Sequence, residues 1–580
     1  MSRPTHAAGP SKRSGIPSGR GILDSCLRCQ TAVRIVWSAL VERSSSPPAR
    51  QTSARASGVG PVVARYLRRA VQAGRIYTGA PAVQTRFDTT NGAADVPSPV
   101  LRRHSTSLFT APWAPALGSA TVDGAAAALA SVATFVLAAV VTAPSPVSGQ
   151  DVPPATDRTI YEIIEAASPG RIGSDIQTLV DFGTRNTLSD TLSATRGIGA
   201  ARRWIKSEMD QISADCGGCM EVFYQGRLFG PEDSQRLPEP VNVVNVVGII
   251  RGTVHPDRYV IMSGDIDSRA SNGSDGVTDA PGANDNASGM AGVIEAARIL
   301  TQFDFPTSVV LVGLSGEEQG LWGGQHMAEV ARAEGWDIVG VLNNDMIGNI
   351  EGINGVIENN TFRVFSEPYP VTASEQEIRS YRVYGGEVDG PSRQLARYVH
   401  RITETYFTNL EAIMIYRLDR FGRGGHHRPF NDAGFPGVRI METNEQYERQ
   451  HQDLRTEDGI EYGDVIEHVD FDFAARLTAV NASVLASLAW APPAPENVAI
   501  GGAVRPSTTL RWDPVDDPNL AGYTIYWRDT TAPQWQHSRF VGDVTEFTLE
   551  GMVIDNHLYG VAAVGTNGHE SVVVFPSDRM

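Results

Sequence analysis

The chain has 580 residues, 41% of them hydrophobic, so it can bury a sizeable core and is long enough for more than one domain. Residues 1–120 carry 16 Lys and Arg against 4 Asp and Glu, whereas the rest carries 33 against 62. The acidic part would repel a phosphate backbone, which argues against nucleic acid as a partner. Residues 1–150 are rich in Arg, Ser, Pro and Ala and are predicted to form a basic, disordered N-terminal region.

An uncharged apolar stretch, "GAAAALASVATFVLAAVV", covers residues 124–141. Arginines precede it and small residues with prolines follow it, a layout that predicts a secretory signal and a secreted or periplasmic protein. The alternative is a membrane anchor, because eighteen residues reach the lower limit for a membrane span. Since signals lie at the N-terminus, we hypothesise that the natural start is near Val100 and that residues 1–99 are upstream sequence.

Two cysteines in the acidic part lie three positions apart, in "DCGGCMEV". Cys216 and Cys219 could close a disulfide in an oxidising compartment or supply half of a zinc site. No second CxxC occurs in residues 151–580, so the disulfide is favoured.

Residues 151–490 alternate between helical patterns and β-branched runs, which predicts one α/β domain with parallel strands at the centre of its sheet. The predicted helices are Gly197–Ile212, Ala287–Phe303, Leu321–Glu334 and Ser392–Tyr406, and the predicted strands are Val241–Ile250, Arg258–Met262, Ser308–Leu314 and Ile338–Leu342.

Acidic residues follow three of these strands. Asp265 and Asp267 come after "YVIMSG", Glu317 and Glu318 after "SVVLVGLSG", and Asp345 after "IVGVLNN". Ligands bind outside the carboxyl ends of parallel strands, and carboxylates gathered there repel one another. No cluster of Lys or Arg near these strand ends supplies a counter-charge, so the sequence predicts a bound metal.

Other readings of the acids are weaker. One acidic loop end alone would be read as a solvated loop or a helix cap, but recurrence after three strands disfavours that reading. Arg269 breaks the EF-hand spacing counted from Asp265. The chain has no GK[ST] phosphate loop, and "GLSGE" is not a nucleophile elbow. A nitrogen ligand is expected among His426, His427 and His451.

Five motifs in order, "PGANDNASG", "GLSGEEQGLWGG", "NNDMIGN", "HHRPFNDAGFPGVRI" and "HQDLRTED", resemble metallopeptidase family twenty-eight, the aminopeptidase Y group of co-catalytic zinc exopeptidases. The resemblance covers roughly residues 242–491, and with the helices that precede them it implies a metallopeptidase domain at residues 151–490. It implies an α/β zinc-exopeptidase fold, a mixed central sheet with parallel core strands flanked by helices, and two divalent metal ions as cofactors.

Carried over residue by residue, the resemblance implies that Asp285 bridges the two ions. Glu318 and His451 would complete one site, and Asp345 would help to form the other. Glu317 matches the family's general base, which takes a proton from the water that attacks the scissile carbonyl. A carboxylate outside the ligand set is chemically suited to that task.

The sequence departs from the family at its first ligand, which is usually the histidine of G-H-x-D-S. This chain reads "GDIDS", so Asp265 stands in place of the histidine, and Asp267 matches the acid that normally orients it. We therefore hypothesise an asymmetric pair of ions. Zinc is expected at Asp285, Glu318 and His451, and an exchangeable zinc, manganese, cobalt or magnesium ion at the all-oxygen site of Asp265, Asp285 and Asp345.

A second departure precedes His427, which the resemblance places in the substrate pocket. The family often has an acid directly before this histidine, whereas this chain has His426. His426 is interpreted as a pocket or surface residue rather than a metal ligand.

Residues 491–580 begin with the proline-rich "APPAPENVAI" and continue as short alternating strands. Trp512, Tyr523, Leu549 and Tyr559 resemble the core pattern of a fibronectin type III module, a small all-β sandwich. The predicted work of this module is spacing, or attachment to a surface or polymer.

Taken together, these observations favour a metal-dependent exopeptidase that removes N-terminal residues from peptides. Within enzymes, a carboxypeptidase or a glutaminyl cyclase on the same fold is the alternative, and outside them a binding protein that has lost its chemistry. Glu317 discriminates between the two classes, because a binding protein has no need of a base. The insertion at residues 351–391 is expected to build part of the substrate pocket.

Overall fold

The computed structural model describes residues 152–580. The predictions for residues 1–150, including the apolar stretch at 124–141, lie outside the described residues. In the described part, the ten α-helices are α1 (Arg158–Ala166), α2 (Pro169–Val180), α3 (Gly197–Asp215), α4 (Gly289–Leu300), α5 (Glu317–Gly320), α6 (Trp322–Glu334), α7 (Glu375–Tyr384), α8 (Pro391–Tyr406), α9 (His427–Asp432) and α10 (Phe471–Trp490).

An eight-stranded mixed sheet forms the centre of the larger domain, in the order β1-β2-β4-β3-β5-β8-β6-β7. The four inner strands, β4, β3, β5 and β8, run parallel to one another. The predicted fold class, a mixed α/β sheet with parallel core strands, is therefore confirmed. The strands are β1 (Met220–Phe229), β2 (Val241–Ile250), β3 (His255–Asp265), β4 (Thr307–Leu314), β5 (Asp337–Asn344), β6 (Thr361–Ser366), β7 (Glu411–Ile415) and β8 (Gly437–Glu442).

All eight predicted elements are present, with ends shifted by at most three residues. Strands β1, β6, β7 and β8 were not predicted. The insertion at 351–391 holds β6 and α7, so part of it joins the central sheet rather than remaining a loop.

Helices cover both faces of the sheet, which explains why the inner strands read as continuous apolar runs. One face packs against a core that includes residues of α4, α8 and α10. The other packs against α6 and α9 through residues such as Met327 and Phe430. Helix α10 is long and apolar enough to cross a membrane, but 89% of that apolar window is buried inside the protein. It is a core helix.

The predicted disulfide lies directly after the third helix of the domain. Helix α3 ends at Asp215, and Cys216 and Cys219 in the turn that follows are bonded to each other. The disulfide favoured by the sequence is confirmed, and the alternative of half a zinc site is wrong, because a disulfide sulfur is not a thiolate ligand.

The C-terminal residues form two small sheets, in the orders β15-β12-β11-β17 and β14-β13-β16. Trp512, Tyr523, Leu549 and Tyr559 are all buried in the one apolar core between them, as their pattern predicts. The strands are β11 (Ala499–Gly501), β12 (Ser507–Arg511), β13 (Leu520–Asp529), β14 (His537–Gly542), β15 (Glu546–Glu550), β16 (His557–Gly565) and β17 (Asp578–Arg579); two short strands, β9 (Arg455–Glu457) and β10 (Ile460–Tyr462), pair with each other before α10.

A buried carboxylate joins the C-terminal sheets to the larger domain. Asp389, just before α8, accepts hydrogen bonds from Arg397 Nη1 at 2.7 Å and from Arg528 Nη2 of β13 at 2.7 Å. All three side chains are almost completely buried. A buried ion network of this kind stabilises the fold only while each charged side chain has a partner of opposite charge.

We expect Asp389→Asn to lower the free energy of unfolding by about 3–5 kcal/mol, because it leaves two buried guanidinium groups without a counter-charge. Urea denaturation followed by tryptophan fluorescence measures the change. Glu375→Gln is the matched control, since it breaks an exposed pair with Arg379 and should cost at most about 0.5 kcal/mol. Equal effects of the two substitutions would contradict the account of this interface.

Candidate metal centre

The carboxyl ends of the inner strands bring the predicted acids to one edge of the sheet. Asp265 is the last residue of β3, Asp345 directly follows β5, and α5 begins at Glu317, three residues after β4 ends. The side chains of Asp265, Glu318 and Asp345 are buried. Gly264 permits this crowding, because a Cβ there would lie 2.7 Å from the backbone of Gly289 at the start of α4.

Three of the predicted ligands meet in one place. His451 Nε2 lies 2.9 Å from Asp285 Oδ2 and 3.0 Å from Glu318 Oε1. One ligand atom of each residue lies within 4.8 Å of the others, which is the spacing of groups that can share a metal ion. Two carboxylate oxygens and one imidazole nitrogen are donors that zinc binds, and three is the number of protein ligands in its catalytic sites.

Asp285 is held in place through its backbone. It lies in the irregular turn Ala283–Ser288, which precedes α4. The backbone N–H groups of Asn284 and Asp285 both donate to the buried Asp464 carboxylate, at 2.9 and 2.7 Å. The side chain of Gln450 donates to Asp285 Oδ2 at 3.1 Å. Asp464 and Gln450 were not predicted from the sequence, although Gln450 directly precedes the predicted ligand His451.

Glu317 and Glu318 are held in place by a single acid. The backbone N–H of Glu317 donates to one oxygen of Asp267 and that of Glu318 to the other, each at 3.1 Å. Thr187 Oγ1 donates to the same carboxylate at 3.2 Å. Asp267 therefore caps the start of α5, where a carboxylate is favoured by the exposed N–H groups. It orients the predicted base and a predicted ligand, which are consecutive in the chain.

The charges in this cluster shift one another's protonation. Burial by itself would lower the pKa of His451, but Glu318 and Asp285 outweigh it and raise that pKa to about 9. Burial would raise the pKa of Asp285, whereas His451 holds it well below its usual range. Burial, followed by the neighbouring carboxylates of Glu318 and Asp345, raises the pKa of Glu317 well above that of an ordinary glutamate.

Asp265 does not join this cluster. Its Oδ1 lies 2.5 Å from His426 Nδ1, and its Oδ2 accepts a hydrogen bond from Asn286 Nδ2 at 2.8 Å. Burial raises the pKa of Asp265 to about 8 and lowers that of His426 to about 4. The two departures from the family pattern thus contact each other: an acid has taken the place of a histidine, and a histidine that of an acid.

Asp345 has a different partner. Arg439 Nη2 of β8 lies 2.8 Å from Asp345 Oδ2, and Arg439 Nη1 lies 3.0 Å from Asp419 Oδ1. The guanidinium is completely buried. The expectation that no arginine supplies a counter-charge at these strand ends is therefore wrong, because β8, which brings Arg439, was not among the predicted strands.

His427 is buried beside the same group of side chains. Its Nε2 lies 2.8 Å from the carbonyl oxygen of Leu418 and 3.5 Å from Asp419 Oδ2. Burial lowers the pKa of His427 to about 4. A neutral imidazole bonded to a backbone carbonyl holds the loop before α9 in position, and His426 is likewise buried rather than exposed at the surface.

Residues 245–474 match the model of Peptidase family M28. A "Probable zinc metalloprotease" of Leptosphaeria maculans is 41% identical over 424 residues, which are 73% of this chain and 98% of that protein. The chain belongs to peptidase family M28. A second "Probable zinc metalloprotease", of Pyrenophora tritici-repentis, is 40% identical over 75% of this chain and 90% of its own length. The solved structure of the Legionella pneumophila LapA aminopeptidase matches 58% of this chain and 77% of that chain, with 17% identity and a TM-score of 0.43.

The two predicted metal positions of this M28 peptidase differ in how well they fit an ion. Asp285, Glu318 and His451 converge on a common point and fit one. The residues predicted for the second do not, because the carboxylates of Asp265 and Asp345 already contact His426 and Arg439. Among the described residues, the group at His451 is the one cluster of three His, Cys, Asp or Glu side chains close enough to hold a metal.

We expect the zinc affinity of the metal-free M28 peptidase to rise about tenfold per pH unit from pH 7 to pH 8.5 and to level off above pH 9. The sign follows from competition: a pKa raised to about 9 keeps His451 protonated below that pH, and zinc must displace the proton. Titration against a zinc-buffering chelator at each pH measures this. An affinity already constant above pH 7 would indicate a histidine with the ordinary pKa of about 6.5 and contradict the prediction.

Proposed function

We propose that this M28 peptidase is a zinc-dependent aminopeptidase of the aminopeptidase Y type, which removes residues one at a time from the amino end of peptides. The observation that carries the proposal is the position of Glu317 next to the cluster of Asp285, Glu318 and His451. Glu317 directly precedes a ligand in the chain, and Asp267 holds the backbone of both residues.

Zinc bound at this cluster would supply Lewis acidity, polarising a substrate carbonyl and acidifying water. Glu317 is suited to move the proton that this chemistry releases. Burial and the neighbouring carboxylates raise its pKa, which makes it a stronger proton acceptor than an ordinary glutamate. A carboxylate with such a pKa accepts a proton from water and then passes it to the leaving amine.

The choice of a peptide's amino end is supported by the resemblance of five motifs in the chain to the aminopeptidase Y group. A narrow cavity lies next to Asp285, and its walls include Glu442 and Asp464. Glu442, the last residue of β8, is buried and accepts hydrogen bonds from Asn284 and from the backbone of Asn349. Glu442 and Asp464 therefore both hold Asn284, directly before the predicted ligand Asp285.

The setting of this activity is part of the proposal. The Cys216–Cys219 disulfide is typical of an exported protein, in line with the signal predicted at residues 124–141. The C-terminal sheets are proposed to be a fibronectin type III-like module for attachment to a surface or polymer. The buried Asp389 network supports a module held in a fixed orientation by the peptidase domain.

A mixed peptide library incubated with the protein, and analysed by mass spectrometry, tests the proposal. We expect products shortened stepwise from the amino end, lost with a chelator and restored by zinc. Peptides with an acetylated amino end are the matched control and should stay intact. Trimming from the carboxyl end would indicate a carboxypeptidase, ring closure of N-terminal glutamine a glutaminyl cyclase, and an unchanged library a binding protein.

We expect Glu317→Gln to lower kcat at least about 100-fold, because the amide retains the shape of the side chain but cannot accept a proton. Zinc content should be unchanged, since Glu317 lies outside the ligand group. Glu329→Gln, at an exposed position on α6, is the matched control and should retain full activity. Activity of Glu317→Gln within a few-fold of the unsubstituted protein would assign the base to another residue.

A further inference from the structure

The position of a second metal ion is surrounded by side chains that are already paired. Arg439 extends from β8, the neighbour of β5 in the sheet, and its guanidinium is completely buried. Its Nη2 lies 2.8 Å from Asp345 Oδ2, and its Nη1 donates to Gly424 O at 2.8 Å and lies 3.0 Å from Asp419 Oδ1. Two hydrogen-bond acceptors, Gly424 O and Asp419 Oδ1, therefore hold the cation within ion-pair distance of Asp345.

The other predicted ligand at this position is engaged on both of its oxygens. Asp265 Oδ1 faces His426 Nδ1 at 2.5 Å, and Asp265 Oδ2 accepts from Asn286 Nδ2 at 2.8 Å. Asn286 itself is anchored, because its side chain also donates to the carbonyl oxygen of Asn344 and accepts from the backbone N–H of Met346. Freeing Asp265 would thus disturb the connection between β5 and the turn before α4.

An ion at this position would have to compete with a protein cation. Zinc–carboxylate bonds are about 2.0–2.2 Å long, so a metal on Asp345 Oδ2 would lie against the guanidinium that already contacts this oxygen. Arginine stays protonated in proteins, and two cations repel strongly where water is excluded. If Arg439 moved away, its buried charge would lose its partners and Asp419 would keep only the longer 4.0 Å ion pair with Arg420, which is costly.

We propose that this peptidase binds one metal ion per chain, at Asp285, Glu318 and His451, and that the guanidinium of Arg439 occupies the place of a second ion. The contacts of Asp265 with His426 and Asn286 close the remaining side of that position. This inference rests on the proposed zinc site at His451. It does not depend on which end of a peptide the enzyme cleaves.

Metal counting on the full chain tests the proposal. The protein is incubated with excess zinc, dialysed against metal-free buffer, and its zinc content is measured by inductively coupled plasma mass spectrometry. We expect one zinc per chain, and two would overturn the inference. Zinc content is measured without peptide substrate, so the two proposals can fail separately. One zinc ion per chain with no peptide cleavage would refute only the aminopeptidase activity. Two zinc ions per chain with peptide cleavage would refute only the single-ion proposal.

Two substitutions test whether Arg439 is the residue that excludes a second zinc ion. Arg439→Met should raise the zinc content above one per chain, since Asp345 loses its cation, whereas Arg397→Met, which removes a buried arginine from the distant Asp389 network, should leave it at one. A content of one in both variants would overturn the role of Arg439. Should Arg439→Met fail to fold, Asp345→Asn replaces it: retention of one zinc is expected, and loss of that zinc would make Asp345 a ligand and overturn the proposal.

Discussion

Repulsion between buried carboxylates is the constraint on which the rest of this structure depends. Parallel strands end at one edge of the sheet, and the acids that follow them are forced together in surroundings with little water. Each acid is stabilised differently. Asp285 and Glu318 face the imidazole of His451, Asp345 faces a guanidinium, and Asp265 shares a close contact with a second imidazole. The chemistry of the site follows from which carboxylates remain available to a metal.

Backbone hydrogen bonds hold this arrangement in place. Asp267 accepts from the first two N–H groups of α5, and Asp464 accepts from those of Asn284 and Asp285. Both acids thus act on the position of neighbouring acids rather than on a substrate. Peptide N–H groups are fixed dipoles, and they stabilise the carboxylates of Asp267 and Asp464. The predicted ligand oxygens of Asp285 and Glu318 are thereby left free. The same principle operates away from the site, where two arginines neutralise Asp389 and join the C-terminal sheets to the peptidase domain.

Exchange of an acid and a histidine between two loops shows how local changes depend on tertiary contacts. Read singly, Asp265 and His426 are two unrelated departures from the family pattern, and Asp265 alone suggests an oxygen-rich metal site. The two residues are 161 positions apart in the sequence, yet Asp265 Oδ1 and His426 Nδ1 lie 2.5 Å apart in the folded chain. Together with Arg439, they convert the expected second metal position into a set of ion pairs and hydrogen bonds. The neighbouring cluster of Asp285, Glu318 and His451 keeps its three predicted ligands close enough to share an ion, with the proposed base Glu317 beside it.

The sequence by itself determined the α/β class and the eight elements that it predicted, because apolar periodicity is a local signal. It also favoured the disulfide, and its five motifs implied the cluster of Asp285, Glu318 and His451 through a resemblance to a known family. It could not determine which charge meets which acid. Strand β8 carries Arg439 into the sheet next to β5, and its neighbours in sequence give no sign of that pairing. Partners such as Asp464 for Asp285 lie 179 positions apart and are brought together only by chain topology. The tertiary structure therefore decided the counter-charges, and with them which carboxylates can hold a metal.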